Sequence, residues 1–336
     1  MRAEAATALR DGVVIPAHPL ALTAGRRLDE RRQRALTRHY LAAGAGGVAV
    51  GVHTTQFAIH DPCVGLYRPV LELAAGELAG SPAVRVAGVL GPTDRAVREA
   101  ETAAALGYDL ALVSAASWGA AASEEEILTG VARVGDVLPV FGFYLQPAVG
   151  GRPLGYRFWR RLVELPAVRA VKVAPFDRYR TLDVLRAVAD SGRAGEVALY
   201  TGNDDSIVAD LVTPHPGGVR MVGGLLGQFA VWTAAAVVLH ARIRRLVLAG
   251  DPVPPAVLRV GAELTEANAA VFDAAHGFRG FIPGIHHVLR REGLLAGEWC
   301  LDPRERLSPG QEAQIDRVWR AYPALRDPAR LAAELG

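Results

Sequence analysis

Lys172 is the residue of this chain whose type and setting point most clearly to chemistry. It is the only lysine among the 37 lysine and arginine residues, and it lies in the apolar run 168–174. Arginine stays charged at physiological pH, whereas a desolvated lysine amine can lose its proton and act as a nucleophile. An unpaired buried ammonium is costly, so a lysine without a function is expected on a solvated surface. We therefore interpret Lys172 as a catalytic residue, with a composition bias towards arginine as the alternative.

Short apolar runs alternate with helical patterns along most of the chain. The runs predict eight strands, at 13–17, 47–52, 84–89, 110–114, 140–144, 168–174, 197–201 and 219–223. Helices are predicted between them, at 29–43, 63–78, 93–106, 123–134, 156–164, 179–190, 204–211 and 229–248. Eight such units predict a (β/α)₈ TIM barrel. An open doubly wound sheet is the alternative, but no predicted strand runs into a convincing G-x-G-x-x-G turn.

The predicted strands stop near residue 250. Three helical patterns follow, at 256–275, 285–292 and 309–321. We therefore expect two regions, a barrel with the active site in residues 1–250 and a C-terminal helical extension in residues 251–336.

The alternation of side chains along a strand predicts which residues face the barrel interior. Lys172 is expected there with Ala170 and Ala174. The same alternation leads us to expect Tyr144 in the interior, on the same face as Gly142 and on the strand next to Lys172. A phenol beside a neutral amine can shuttle protons during carbinolamine formation and dehydration. Taken alone, Tyr144 would be an aromatic residue that caps the end of a strand.

Two further predictions follow from the same alternation. On the fifth predicted strand, Phe141 and Phe143 would point towards the helices. On the second predicted strand, Ala49, Gly51 and His53 would share one face. Val48, Val50 and Val52 would take the other face.

Composition and charge exclude several classes of protein. A net charge of +2 over 336 residues leaves no basic surface for nucleic acid. The longest apolar stretch, 229–239, is too short to span a bilayer, and residues 1–11 lack the apolar core of a signal peptide. Cys63 and Cys300 have neither disulfide nor metal-ligand spacing. We expect a cytoplasmic protein with no membrane or nucleic-acid partner.

Three segments of the chain resemble motifs of the dihydrodipicolinate synthase and N-acetylneuraminate lyase family of pyruvate-dependent Schiff-base aldolases. They are Tyr144-Leu-Gln-Pro147, Ala170-Val-Lys172 and Thr201-Gly-Asn-Asp-Asp205. The resemblance implies that Lys172 forms an imine with a 2-oxo acid, that Tyr144 relays protons and that Gly202 lies at the site. It also implies that no separate cofactor is needed and that the chain forms a homo-oligomer, either a tetramer or a dimer.

The chain also departs from the family pattern. Where the family has Gly-Thr-Thr-Gly-Glu after the second strand, this sequence carries His53, Thr54 and Thr55, which the resemblance implies hold the substrate carboxylate. The family's tyrosine after the fourth strand is missing, and Val149 stands where an arginine is typical. These differences argue against a true dihydrodipicolinate synthase.

Three further features near predicted strand ends have two interpretations each. Trp118 could wall the pocket for a bulky acceptor, or it could simply pack. Gly223 could let substrate approach the backbone, although tight packing explains it equally well. A metal site at His53, His60 and Asp61 is the third, but the spacing matches no standard ligand motif, so we expect no metal.

We predict a Schiff-base-forming lyase of the aldolase type that acts on pyruvate or another 2-oxo acid, with an aldehyde as the second substrate of an aldol reaction. Two alternatives stay open. One is an imine-forming dehydratase or decarboxylase on the same barrel, and the other is a non-catalytic homologue that binds 2-oxo acids. The sequence does not identify the natural substrate.

Overall fold

A closed ring of parallel strands forms the centre of the protein. The structure is a computed structural model that describes residues 1–336, apart from the side chain of Pro216. Within these residues eight strands are hydrogen-bonded in the order β1-β8-β7-β6-β5-β4-β3-β2. A bridge between Ala17 and Ala49 joins the two ends of this order and closes the ring. The predicted (β/α)₈ barrel is confirmed. Its strands are β1 (Val14–Pro16), β2 (Gly47–Val50), β3 (Val84–Val89), β4 (Leu110–Ser114), β5 (Val140–Leu145), β6 (Val168–Ala174), β7 (Ala198–Thr201) and β8 (Met221–Leu226).

Helices surround the ring and continue beyond it. Each described helix falls short of the length or the apolar character that crossing a bilayer requires. The helices are α1 (Ala3–Asp11), α2 (Glu30–Ala42), α3 (Tyr67–Glu77), α4 (Thr93–Ala105), α5 (Glu124–Gly135), α6 (Tyr156–Glu164), α7 (Arg178–Ala189), α8 (Ile207–Val212), α9 (Gln228–Val231), α10 (Thr233–Ala249), α11 (Pro255–Val271), α12 (Phe281–Arg291), α13 (Gln311–Ala321) and α14 (Pro328–Leu335).

The helices differ from the prediction at both ends of the barrel region. Helix α1 was not predicted; it buries Ala5 and Leu9 against the barrel interior and ends at Gly12, whose φ is +89°. The predicted helix 229–248 is divided into α9 and α10 at Trp232, whose φ of −126° and ψ of 60° are not helical. The proposed boundary at residue 250 stays a prediction.

The interior face of β6 is the one predicted, but that of β5 is not. Ala170 and Ala174 lie in the interior cluster, and so do Phe141 and Phe143. Phe143 is the register partner of Lys172, and neighbouring residues in register on parallel strands point to the same side. The prediction that Phe141 and Phe143 face the helices is therefore wrong.

The end of β2 also differs from simple alternation. The strand ends at Val50, and Gly51 takes a φ of +74°, a conformation that favours glycine. The chain turns there, so that Val52 joins Ala49 in the interior instead of facing the helices. His53 then begins a short 3₁₀ turn, His53–Thr55, above the barrel.

Candidate active site

A pocket opens at the carboxyl ends of the barrel strands, the end at which TIM-barrel enzymes carry their active sites. About 420 Å³ of space free of protein atoms lies within it, and part of this space is open to solvent. Most of its wall is apolar. The lining residues are Ala17, Val52, His53, Thr54, Phe143, Leu145, Gln146, Val149, Lys172, Ala174, Phe176, Gly202, Asp204, Gly227 and Phe281.

Lys172 lies in this pocket with 8% of its surface exposed. Its Nζ is 4.2 Å from the centre of the Phe143 ring, on the neighbouring strand. Burial lowers the pKa of Lys172 below its usual value, and the carboxylate of Asp204 opposes this effect more weakly. The amine is therefore more easily deprotonated than that of a surface lysine, as expected for a nucleophile.

Gly202 makes room for the lysine. A Cβ at this position would lie 2.6 Å from Lys172 Cε and 2.7 Å from Ala174 Cβ. These distances are shorter than van der Waals contact, so any side chain at position 202 would displace the lysine. The structure places Gly202 at the pocket, where the sequence predicted it.

Asp204 is the acidic group of the pocket, and the sequence analysis did not assign it a role. Its Oδ1 accepts a hydrogen bond from the backbone N–H of Gln228 (3.3 Å), and Asn268 Nδ2 donates to its backbone carbonyl (2.7 Å). Burial raises the pKa of Asp204, while Lys172 and the Gln228 N–H lower it by smaller amounts. A carboxyl group of this kind can carry a proton near neutral pH. The segment Thr201-Gly-Asn-Asp-Asp205, in which Asp204 follows Gly202 by two residues, was the signal in the sequence that could have identified it.

His53 and Thr54 line the pocket from the turn after β2. The His53 ring lies 5.6 Å from that of Phe57 and 5.0 Å from that of Phe281. Burial, and then the charge on Lys172, lowers the pKa of His53 to about 4, so its imidazole is neutral at pH 7. Among the described residues, the backbone N–H groups of His53 and Thr54 donate to no other backbone group.

Thr55 supports this turn and does not line the pocket. Its Oγ1 accepts hydrogen bonds from the N–H groups of Gly51 (3.0 Å) and Val52 (3.2 Å) and donates one to the carbonyl of His18 (2.7 Å). The structure does not bring the hydroxyl of Thr55 to the pocket, where the predicted binding of substrate requires it, because this group is directed into the turn. The residue instead fixes the backbone that carries His53.

Tyr144 lies outside the pocket, so the structure does not bring its hydroxyl together with Lys172, as the predicted proton relay requires. Its ring packs on Trp159 of α6, with ring centres 4.8 Å apart. Its hydroxyl accepts hydrogen bonds from the N–H of Leu154 (3.1 Å) and from Arg180 Nη1 (3.3 Å). The physical reason is the strand register, which turns Phe143 inward and its neighbour outward.

Trp118 and Gly223 also lie away from the pocket, which favours the packing interpretation of both residues over the substrate-binding one. Trp118 Nε1 donates to Thr93 Oγ1 (3.0 Å), and the indole packs closely over Gly91 and Gly130. A Cβ at Gly223 would lie 2.5 Å from the carbonyl oxygen of Val13, so packing explains this glycine.

The arrangement around His60 does not favour the metal alternative. His60 Nδ1 lies 3.0 Å from Glu99 Oε2, and Nε2 lies 2.8 Å from the carbonyl oxygen of Gly51. Both ring nitrogens are thus used within the protein. Among the described residues, no group of three or more histidine, cysteine, aspartate or glutamate side chains is arranged to hold a metal ion.

Among the comparisons with known proteins, the one with solved structures found matches. No family model matches the sequence, and no curated protein matches it. Solved structures do match, and those described here cover nearly all of both chains. Dihydrodipicolinate synthase from Cyanidioschyzon merolae with lysine bound is 19% identical with a TM-score of 0.77, over 94% of this chain and 98% of its own.

Two other structures extend this likeness. YagE, an E. coli K12 prophage protein of the dihydrodipicolinic acid synthase family in complex with pyruvate, is 17% identical with a TM-score of 0.76, over 93% of this chain and 98% of its own. N-acetylneuraminate lyase from Mycoplasma synoviae is 14% identical with a TM-score of 0.71, over 94% and 98%. The chain thus has the barrel fold of these lyases and synthases. The predicted resemblance to their family is confirmed at the level of the fold.

Proposed function

We propose that this protein is a divergent lyase of the dihydrodipicolinate synthase and N-acetylneuraminate lyase class, in which Lys172 forms an imine with pyruvate or another 2-oxo acid. The observation that carries the proposal is the Lys172 amine, which is buried in the pocket and has a pKa lowered by burial. A neutral amine is the nucleophile that imine formation needs. The fold shared with a protein in complex with pyruvate supports the same substrate class.

The chemistry begins at the ketone carbon of the 2-oxo acid. Lys172 Nζ forms a bond to this carbon while the carbonyl π electrons move to oxygen, giving a carbinolamine. Loss of water then leaves a protonated imine. The imine accepts the electron pair of a neighbouring C–C or C–H bond, so a carbanion at C3 is stabilised as an enamine. Protonation of the enamine at C3, or its addition to an aldehyde, gives a new imine, and hydrolysis of this imine by water releases the product and regenerates the Lys172 amine.

The groups that line the pocket can supply the proton transfers. Asp204, whose pKa is raised, can donate a proton to the departing hydroxyl, and the neutral imidazole of His53 can accept a proton. The free N–H groups of His53 and Thr54 can hold the substrate carboxylate. Asp204 and His53 thereby take the part first expected of Tyr144.

A non-catalytic protein that binds 2-oxo acids is the second candidate. The observation in its favour is that Tyr144 faces α6, so no phenol serves the amine. An imine-forming dehydratase or decarboxylase shares the first step and is a third candidate. Homo-oligomeric assembly and a cytoplasmic location stay predictions, and light scattering would measure the former.

Borohydride trapping tests the proposal, because borohydride reduces an imine to a stable secondary amine. After incubation with pyruvate and borohydride, the mass of the protein is expected to increase by that of the reduced pyruvate adduct on Lys172. No such increase is expected in a Lys172→Met variant. Exchange of the C3 protons of pyruvate in D₂O, followed by NMR, then separates the candidates. Exchange that needs Lys172 supports a lyase, whereas trapping without exchange supports the binding protein. Absence of trapping by every 2-oxo acid in a broad panel contradicts imine formation.

A further inference from the structure

The wall of the pocket around Lys172 is mostly aromatic and aliphatic. Phe143, Phe176 and Phe281 contribute rings, and Leu145 and Val149 contribute aliphatic side chains. We propose that the substrate is a 2-oxo acid with an uncharged, apolar side chain. This inference rests on the proposed function and specifies the substrate class of the same site.

Phe281 forms the part of this wall that comes from the C-terminal helices. It is the first residue of α12, and its ring stacks on Phe272 with centres 4.3 Å apart and planes inclined by 16°. The centre of the Phe281 ring also lies 5.0 Å from that of the His53 ring. The residue is 7% exposed, so it extends the apolar surface of the barrel mouth instead of opening it to solvent. A substrate side chain leaving C3 would contact this surface.

Phe176 contributes to the wall through an unfavourable backbone conformation. Its φ is +51°, a region that residues with a Cβ seldom adopt. The conformation is held by a hydrogen bond from the Phe176 N–H to Asn203 Oδ1 (3.1 Å) and by an edge-on contact with Phe278, at 5.6 Å. Strained positions of this kind concentrate at binding sites. The rest of the fold thus keeps an aromatic ring at this point of the pocket.

The charges near the pocket disfavour a second carboxylate on the substrate. Lys172 is the only lysine or arginine among the lining residues, and its nitrogen becomes part of the imine at C2 of the substrate. Arg152 is not available, because its Nη1 donates to the carbonyl of Ala122 (2.8 Å) in the loop after β4. Arg180 is bonded to the outward-facing Tyr144. A distal carboxylate would therefore be buried without a cation and close to Asp204.

An isosteric pair of 2-oxo acids tests this inference. In 5-methyl-2-oxohexanoate an isopropyl group replaces the distal carboxylate of 2-oxoglutarate, so the two differ in charge more than in shape. Borohydride trapping at limiting concentration is expected to favour the branched acid by at least about tenfold. Equal trapping, or a preference for 2-oxoglutarate, overturns the inference while leaving the proposed function intact. If neither of these acids nor pyruvate is trapped on the protein, the result contradicts the proposed function and therefore also this inference.

Phe176→Gly removes the ring while keeping the fold, because glycine adopts a positive φ without strain. We expect this variant to retain its melting temperature and to lose most of the preference for 5-methyl-2-oxohexanoate. Arg26→Gly is the control, since Arg26 also has a positive φ (+56°) but does not line the pocket. An equal or larger loss of preference in Arg26→Gly than in Phe176→Gly contradicts the assigned role of Phe176.

Discussion

Lys172 and Phe143 are register partners on β6 and β5, and the lysine Nζ lies 4.2 Å from the centre of the phenylalanine ring. The ring covers the amine with apolar surface, which disfavours the ammonium form. The π face offers some attraction to a cation, but it does not replace the water that burial removes. The pair thus explains how the barrel keeps a lysine interior and prone to deprotonation.

Replacing Lys172 with methionine is expected to stabilise the protein while abolishing trapping. The pKa of Lys172 is lowered in the folded state, so the amine costs folding energy wherever the unfolded chain would bind the proton more tightly. The stability gained by Lys172→Met is therefore largest at a pH below the lowered pKa of Lys172. It vanishes at a pH above the ordinary lysine pKa of about 10.4. Urea denaturation at pH 7 should show an increase of about 1 kcal/mol in the free energy of unfolding. Lys172→Arg is the control, because arginine cannot lose its charge, and a loss of stability is expected.

Asp204→Asn should shift the pH dependence of trapping to lower pH. The carboxylate of Asp204 raises the pKa of Lys172, so its removal leaves burial unopposed. The pH at which trapping by pyruvate is half-maximal should fall by about one unit. Asp205→Asn is the matched control, because its side chain does not line the pocket. A shift to higher pH, or the same shift in both variants, contradicts the pairing of Asp204 with Lys172.

Gly202→Ala should reduce trapping at least about tenfold, because the new Cβ would displace the lysine chain and meet Ala174. Overpacking of this kind also costs about 1–3 kcal/mol of stability. Gly195→Ala is the control, since a Cβ there has no neighbour within 4 Å. Intact mass spectrometry after trapping measures both variants. Full trapping in Gly202→Ala would show that the lysine does not depend on this gap.

Tyr144→Phe should leave trapping by pyruvate within about twofold of the parent protein, because the hydroxyl faces α6 and not the amine. Loss of the hydroxyl leaves the buried N–H of Leu154 without its acceptor, so the free energy of unfolding should fall by about 1 kcal/mol. Denaturation and trapping are measured on the same sample. A loss of trapping greater than tenfold with unchanged stability would place the phenol in the reaction after all.

The sequence predicted the barrel and the interior position of Lys172 because those signals are local. The repeated strand and helix patterns identified eight units, and the small neighbours Ala170 and Ala174 marked the interior face of β6. The fifth strand lacked such a mark. In a parallel barrel both faces of a strand are buried, so alternation alone could not decide between Phe143 and Tyr144.

Other parts of the site depend on relationships that a single sequence does not display. The positive φ of Gly51 reverses the face of Val52, and nothing in the surrounding residues required that turn. Phe281 reaches the pocket from a helix far along the chain. Asp204 was present in the segment Thr201-Gly-Asn-Asp-Asp205. Its burial and its proximity to the Lys172 amine became evident only in three dimensions.

The most direct test of the central claim is peptide mapping of the protein after reduction with borohydride in the presence of pyruvate. Because Lys172 is the only lysine, the chain's terminal α-amine is the only other primary amine that could form an imine. We predict one adduct, in the peptide that contains Lys172, and none in the same peptide of Lys172→Met. An adduct confined to the terminal amine, or no adduct with pyruvate or any other 2-oxo acid, would contradict the account.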